Sequence, residues 1–128
     1  MSGTAAAASP LAFDAFWNWL SGHATCIVQA SVGDAMLKDH DLAHWDIFQT
    51  REGDCVVHVL IGKALIGQIY IDPKLVLLVH ASPDGEDPDS GQWIFDCLAG
   101  PDDDPYTFCS FTMAHGMEHA RNHQMVKH

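Results

Sequence analysis

Three histidines, His115, His119 and His123, stand four residues apart near the end of the chain. On a helix each such step turns about 400°, so the three imidazoles fall within about 80° of one face. Imidazole nitrogens at that spacing can share a borderline divalent ion such as Zn²⁺ or Ni²⁺. Met113, Met117, Ala120 and Gln124 form a modest stripe on another face, which points the histidines outward; Gly116 weakens this helix. Glu118 lies nearby, but the HExxH placement of a metalloprotease is missing. The tail therefore reads as a surface histidine face that picks up Zn²⁺ or Ni²⁺ adventitiously. As an evolved metal site, His115 and His119 would need a third ligand from the body of the fold, with His40 or His44 as the candidates.

Other residues offer weaker chemistry. His40, Asp41, His44 and Asp46 make a polar knot in which a His–Asp pair could act as a general base. Turn formation is the simpler role for it. If His44 opens a strand, His44, Asp46 and Phe48 share one side and Trp45 and Ile47 the other. His58 and His80 sit in strong strand patterns and read as half-buried sheet histidines. Ser110 and Cys109 neighbour His115 in sequence alone, no GxSxG elbow occurs, and Gly62-Lys63 lacks the spacing of a phosphate-binding loop. No residue is assigned a catalytic role.

Carboxylates supply the clearest signal. Seventeen Asp and Glu against six Lys and Arg give a formal charge of −11. Two loops concentrate it: Asp84, Glu86, Asp87 and Asp89 in one, Asp102, Asp103 and Asp104 in the other. No Lys or Arg occurs between Leu75 and Ala120. The first loop resembles the opening of a calcium loop, but its glycine falls one place early and no glutamate closes it. Solvated hairpin loops account for both. Should the two lie on one edge of a sheet, they would form a single anionic patch suited to a basic protein partner. The same charge repels phosphate backbones, which argues against nucleic acid and anionic membranes.

The positioning elements follow from periodicity. Ser9, Pro10 and Gly22 frame a helix whose Phe13, Phe16, Trp17 and Leu20 share one face. Trp19 falls at the edge of that stripe, and core packing accounts for most of Trp17, Trp19, Trp45 and Trp93. Strand patterns recur at Thr25–Ala30, His44–Thr50, Cys55–Ile61, Ala64–Ile71, Leu75–Ala81, Gln92–Leu98 and Tyr106–Met113, separated by turns such as Arg51-Glu52-Gly53-Asp54. Ser31–His40 is ambiguous: Gly33-Asp34 punctuates it, and Ala35, Met36 and Leu37 fit one short helical turn. In Ala64–Ile71, Leu65, Ile69 and Ile71 alternate against Gln68 and Tyr70.

These intervals leave no space for helical crossovers. The expected fold is α+β: an antiparallel meander sheet of five to six strands covered by the N-terminal helix, with Met113–Val126 as a candidate second helix. Residues 1–9 read as a flexible leader and 10–128 as one domain. No signal peptide or membrane span is recognisable, and Cys26, Cys55, Cys97 and Cys109 lack CxxC pairing, so reduced core thiols in a cytoplasmic protein are expected.

In length and charge the chain resembles small acidic bacterial-type proteins such as toxin-neutralising immunity proteins and secretion chaperones. The chaperones place a helix where Cys55–Ala81 is continuous strand, so the likeness implies no family. The functional expectation is a non-enzymatic protein-binding module, immunity-, chaperone- or adaptor-like, that recognises a basic surface and needs no cofactor. A homodimer is compatible with it. The alternative is a metal-binding protein or metal-dependent enzyme using His115 and His119. A small-ligand pocket between helix and sheet is a third reading.

Overall fold

The computed structural model describes residues 9–86 and 88–117. Among the described residues nine strands form two antiparallel sheets: β1 (Ser9–Leu11), β2 (Ile27–Val32), β3 (Ala35–Lys38), β4 (Ala43–Gln49), β5 (Cys55–Ile61), β6 (Ala64–Ile71), β7 (Val76–Pro83), β8 (Trp93–Ala99) and β9 (Tyr106–Met113). The larger sheet has the order β1-β7-β8-β9-β2-β3, and β4-β5-β6 make the smaller one. An α-helix, α1 (Phe13–Ser21), lies near the N-terminus.

Helix α1 forms where the pattern requires it. Phe13, Phe16, Trp17 and Leu20 are buried, and Phe16 stacks on Phe95 at 5.1 Å and meets Phe111 at 5.6 Å. Each fully buried ring of this kind stabilises the fold by roughly 1.5–3 kcal/mol through removal of apolar surface from water. The helix begins later than expected. Ser9 and Pro10 belong to β1 and pair with Ala81 and His80, while Ala12 stands at the N-cap and gives no side-chain bond. An extended pairing of the β1 backbone with β7 outweighs the cap that Ser9 would have provided. Ser9 is thus part of the sheet; residues 1–8 of the expected leader lie outside the described residues.

One core fills the space between α1 and the two sheets. From the larger sheet come Val79, Phe95, Cys97, Cys109, Phe111, Met113 and Ile27, and from the smaller Trp45, Cys55, Val57, Val59, Ile69 and Ile71. The sheets touch directly where β3 meets β6. A Cβ on Gly67 would stand 2.4 Å from Leu37 Cδ2, so the absent side chain is what admits Leu37.

The single five- to six-stranded meander does not occur. Local hairpins β4-β5-β6 and β7-β8-β9 form as the turns imply, but the chain changes sheets between them. It does so at a 3₁₀ turn, Pro73–Leu75, whose Asp72 side chain accepts from Lys74 N at 3.0 Å. Pairing of β2 with β9 then closes the larger sheet over a long chain separation. Residues Ala35–Lys38 form β3 rather than a helical turn, because they pair with Gln29–Val32 across the Gly33-Asp34 bend.

A second difference lies in β6. Register shifts between Val59 and Leu60, so that Gly67 faces Val59 and Leu65 faces Leu60. The extra residue turns Leu65 to the outer face, where it is 49% exposed, while Ile69 and Ile71 stay buried. At the C-terminal side, strand β9 includes Met113, and residues 118–126 of the expected second helix lie outside the described residues.

Candidate functional site

Two acidic loops join β8 to its neighbours, and antiparallel connection sends them to opposite ends of that strand. Strand β8 spans Trp93–Ala99, which places the loops on the order of 20 Å apart at about 3.4 Å per residue. They do not merge into one patch. Asp102, Asp103 and Asp104 are exposed in the β8–β9 loop, as are Glu86 and Asp89 in the β7–β8 loop. Asp84 is half-buried there, and Asp87 lies outside the described residues.

The loop at residues 101–105 adjoins an apolar groove of about 360 Å³, lined by Leu75, Val76, Leu77, Ala99, Gly100, Tyr106 and Phe108, with Asp72 and Lys74 at its polar side. Two register shifts build this groove. Val76 pairs with Ala99 and Leu78 with Leu98, which leaves Leu77 as an extra residue. On the other flank of β8, Cys97 pairs with Cys109 and Leu98 with Thr107, which leaves Phe108 as another. An unpaired residue re-aims its side chain, and here two of them reach the same groove.

Gly100 completes the groove floor. Its φ is +97°, and a Cβ there would stand 2.8 Å from Tyr106 Cε1. The bare backbone lets the Tyr106 ring lie across it. Leu75, Leu77 and Tyr106 nevertheless remain 65%, 41% and 57% exposed. This is an apolar surface left in water beside a run of three carboxylates, a combination suited to capture of an apolar side chain with cationic neighbours.

The other end has a different character. A recess of about 450 Å³ is lined by Val28, Gln29, Asp84, Glu86, Gln92 and Thr112 among others. Its loop uses its own polar groups: Asp84 Oδ1 accepts from Glu86 N at 3.0 Å, and Ser90 Oγ accepts from Gln92 N at 3.0 Å. The carboxylate of Asp84 shapes a turn.

The polar rows on the sheets do not assemble a nucleophile. His80, Asp96 and Ser110 are cross-strand neighbours on the outer face of the larger sheet. Ser110 Oγ donates directly to Asp96 Oδ1, so the carboxylate stands between serine and histidine. A serine base relay requires the imidazole in that middle position. His80 is exposed, not half-buried, because its strand turns that side of the sheet to solvent. His58 is half-buried as expected, with Nε2 3.1 Å from Gln68 Oε1. The 40–46 knot works as turn chemistry: His40 Nδ1 accepts from Leu42 N at 3.0 Å, and Asp39 accepts from Trp45 Nε1 at 3.0 Å. His44 and Asp46 lie on the exposed side of β4.

His115 meets neither His40 nor His44 in a ligand cluster; it packs against His23 and Trp19. His119 and His123 lie outside the described residues. Among the described residues no group of three or more His, Cys, Asp or Glu is arranged to hold a metal ion. Nothing in the spacing of the sequence pointed to His23.

The four cysteines are free thiols, three of them buried. Cys97 faces Cys109 across β8 and β9, and hydrogen bonding with Cys109 followed by burial pushes its thiol far above the ordinary range. Burial raises Cys55 as well, partly offset by a hydrogen bond from Gln49. Trp17 and Trp45 are buried, and Trp19 and Trp93 are half-buried. Among the described residues no helix is long and apolar enough to cross a membrane.

No protein-family model matches the chain, and comparison with curated proteins and with solved structures likewise finds no match.

Proposed function

We propose that this chain is a non-enzymatic protein-binding module, and that its partner presents an apolar side chain flanked by lysine or arginine. The groove between Leu75, Leu77, Tyr106 and Phe108, with Asp102–Asp104 beside it, carries this reading. Exposed aromatic and aliphatic groups supply contact area, and the carboxylates supply attraction and orientation at long range. Asp72 in the lining holds the Pro73–Leu75 turn, and among the described residues of the lining Lys74 is the one cation. The loop at Glu86 and Asp89 contributes to the overall negative field in a secondary way. Four reduced thiols suit a cytoplasmic setting.

The test uses a peptide with a central leucine between arginines, titrated into the full chain and followed by NMR. Shifts should concentrate at Leu75, Leu77, Tyr106 and Phe108. Replacing Asp102, Asp103 and Asp104 together by asparagine should weaken binding about tenfold at low salt and flatten its dependence on ionic strength. Equal affinity and an equal salt slope in that variant would sink the reading.

A further inference from the structure

The recess beside the β7–β8 loop holds a hydroxyl that the fold buries without giving it a partner. Strand β9 alternates, with Phe111 and Met113 in the core and Thr112 on the outer face of the larger sheet. That face meets solvent at His80, yet Thr112 is only 9% exposed. It is the one buried hydroxyl among the described residues, and it is buried because Asp84, Glu86 and Gln92 stand with it around the recess of about 450 Å³. No described residue hydrogen-bonds to its Oγ1. A buried hydroxyl left so is unfavourable, and a guest that donates to it removes the cost.

The neighbours of Thr112 converge on the same space. Ile94 of β8 and Gln29 of β2 flank it directly across the strands. Val28 is the extra residue of the bulge between Ile27 and Gln29, which turns it toward the recess. The side-chain amides of Gln29 and Gln92 make no hydrogen bond with any described residue. Asp84 is engaged by its own loop, whereas the Glu86 side chain makes no such bond and stands at the rim. We propose that this recess binds a guanidinium group, carried by a small free guanidine or by an arginine side chain. The site lies at the opposite end of β8 from the groove and does not depend on it.

The chemistry of the lining selects that group. A guanidinium has five N–H donors in one plane and no acceptor, so its host must offer several acceptors around one space. Thr112 Oγ1 and the amide oxygens of Gln29 and Gln92 are such acceptors, and the Glu86 carboxylate supplies the opposite charge. Ile94 and Val28 give apolar surface to the flat faces, which a guanidinium tolerates better than a strongly hydrated ammonium does. Among the described residues the lining contains no Lys or Arg; Lys38 pairs with Gln29 across β2 and β3 but stands outside it. The volume accommodates an alkyl chain as well as the charged head.

The experiment titrates the full chain at constant ionic strength with three probes, by calorimetry and NMR. They are agmatine, 1,4-diaminobutane (the same chain with an ammonium in place of the guanidinium) and a blocked Gly-Arg-Gly peptide. A saturable one-to-one site is expected for agmatine or the peptide, with the side-chain amide signals of Gln29 and Gln92 moving; the tighter of the two names the source. 1,4-Diaminobutane should bind at least about tenfold more weakly. Thr112→Val keeps the shape and removes the hydroxyl, and should weaken binding about five- to tenfold, whereas Thr112→Ser should stay within about threefold of the parent. Gln92→Leu repeats the test in the loop, outside the sheet. Failure of both guanidinium probes to saturate overturns the proposal, as does equal affinity for agmatine and 1,4-diaminobutane. Parent-like affinity in Thr112→Val or in Gln92→Leu overturns it too, and so do shifts concentrated at Asp102–Asp104, which would put the cation on the other loop.

Discussion

The loops on either side of β8 are alike in composition and unlike in surroundings. At 84–92 two side chains serve the loop itself, Asp84 and Ser90 accepting its backbone N–H groups above a recess lined with glutamine and threonine, while Glu86 and Asp89 are exposed. At 101–105 the carboxylates are exposed, and the adjoining surface is leucine, tyrosine and phenylalanine. A carboxylate that holds a turn is committed to the fold, whereas one that projects beside uncovered apolar surface is available to a partner. Charge counted along the sequence does not distinguish these two situations.

The comparison presumes that both ends hang from one rigid core. Phe16 is fully buried against Phe95 and Phe111, so Phe16→Ala should cost about 3–5 kcal/mol in urea denaturation, with both ends lost in one transition. Separate transitions for the two ends would break the comparison outright. The buried thiols probe the same core by pH. The folded state holds Cys97 protonated well above 9.0, the ordinary value at which the unfolded chain releases that proton. The stabilisation is therefore complete below pH 9.0 and is lost as pH rises beyond it, by up to about 1.4 kcal/mol per pH unit for this group. Cys97→Ser should show a shallower decline above that pH, measured by thermal unfolding in buffers of increasing alkalinity.

Glycine substitution sharpens the contrast between the ends. Gly100→Ala forces a side chain into the Tyr106 ring at φ +97°, and a loss of roughly 1–3 kcal/mol is expected, with movement of Tyr106 in NMR spectra. Gly91→Ala, at φ +78° with its nearest neighbour 4.0 Å away, should cost less, about 1 kcal/mol. The smallest effect separates the carboxylates themselves. Asp84→Asn weakens the bond to Glu86 N and should cost about 0.5–1 kcal/mol, while Asp103→Asn should leave the melting temperature within error.

Much of the local architecture was legible. The stripe Phe13, Phe16, Trp17 and Leu20, the alternation in Cys55–Ile61 and the turns at 51–54 and 62–63 all report short-range geometry, and these elements form where their residues indicate apart from the helix start, where Ser9 and Pro10 join β1. The division into two sheets was not legible, because a short turn is equally compatible with staying in a sheet and with leaving it. Pro73 marks a turn but not its destination. The pairing of β2 with β9 joins segments whose sequences hold no record of each other. The slip at Ile66 inverted Leu65, since one added residue reverses every side chain beyond it. For the groove, the exposed aspartates were visible in advance, yet Leu77 and Phe108 reach it only through register shifts that the residue pattern does not encode.

Strand β1 has a consequence for growth of the molecule. It is three residues long, among the described residues it forms one border of the larger sheet, and its middle residue is Pro10. Proline has no amide hydrogen to offer, so a further strand arriving at that border would find its ladder interrupted at the centre. Any copy or partner that adds its own backbone to this sheet is steered away from that side, toward the margin formed by β3.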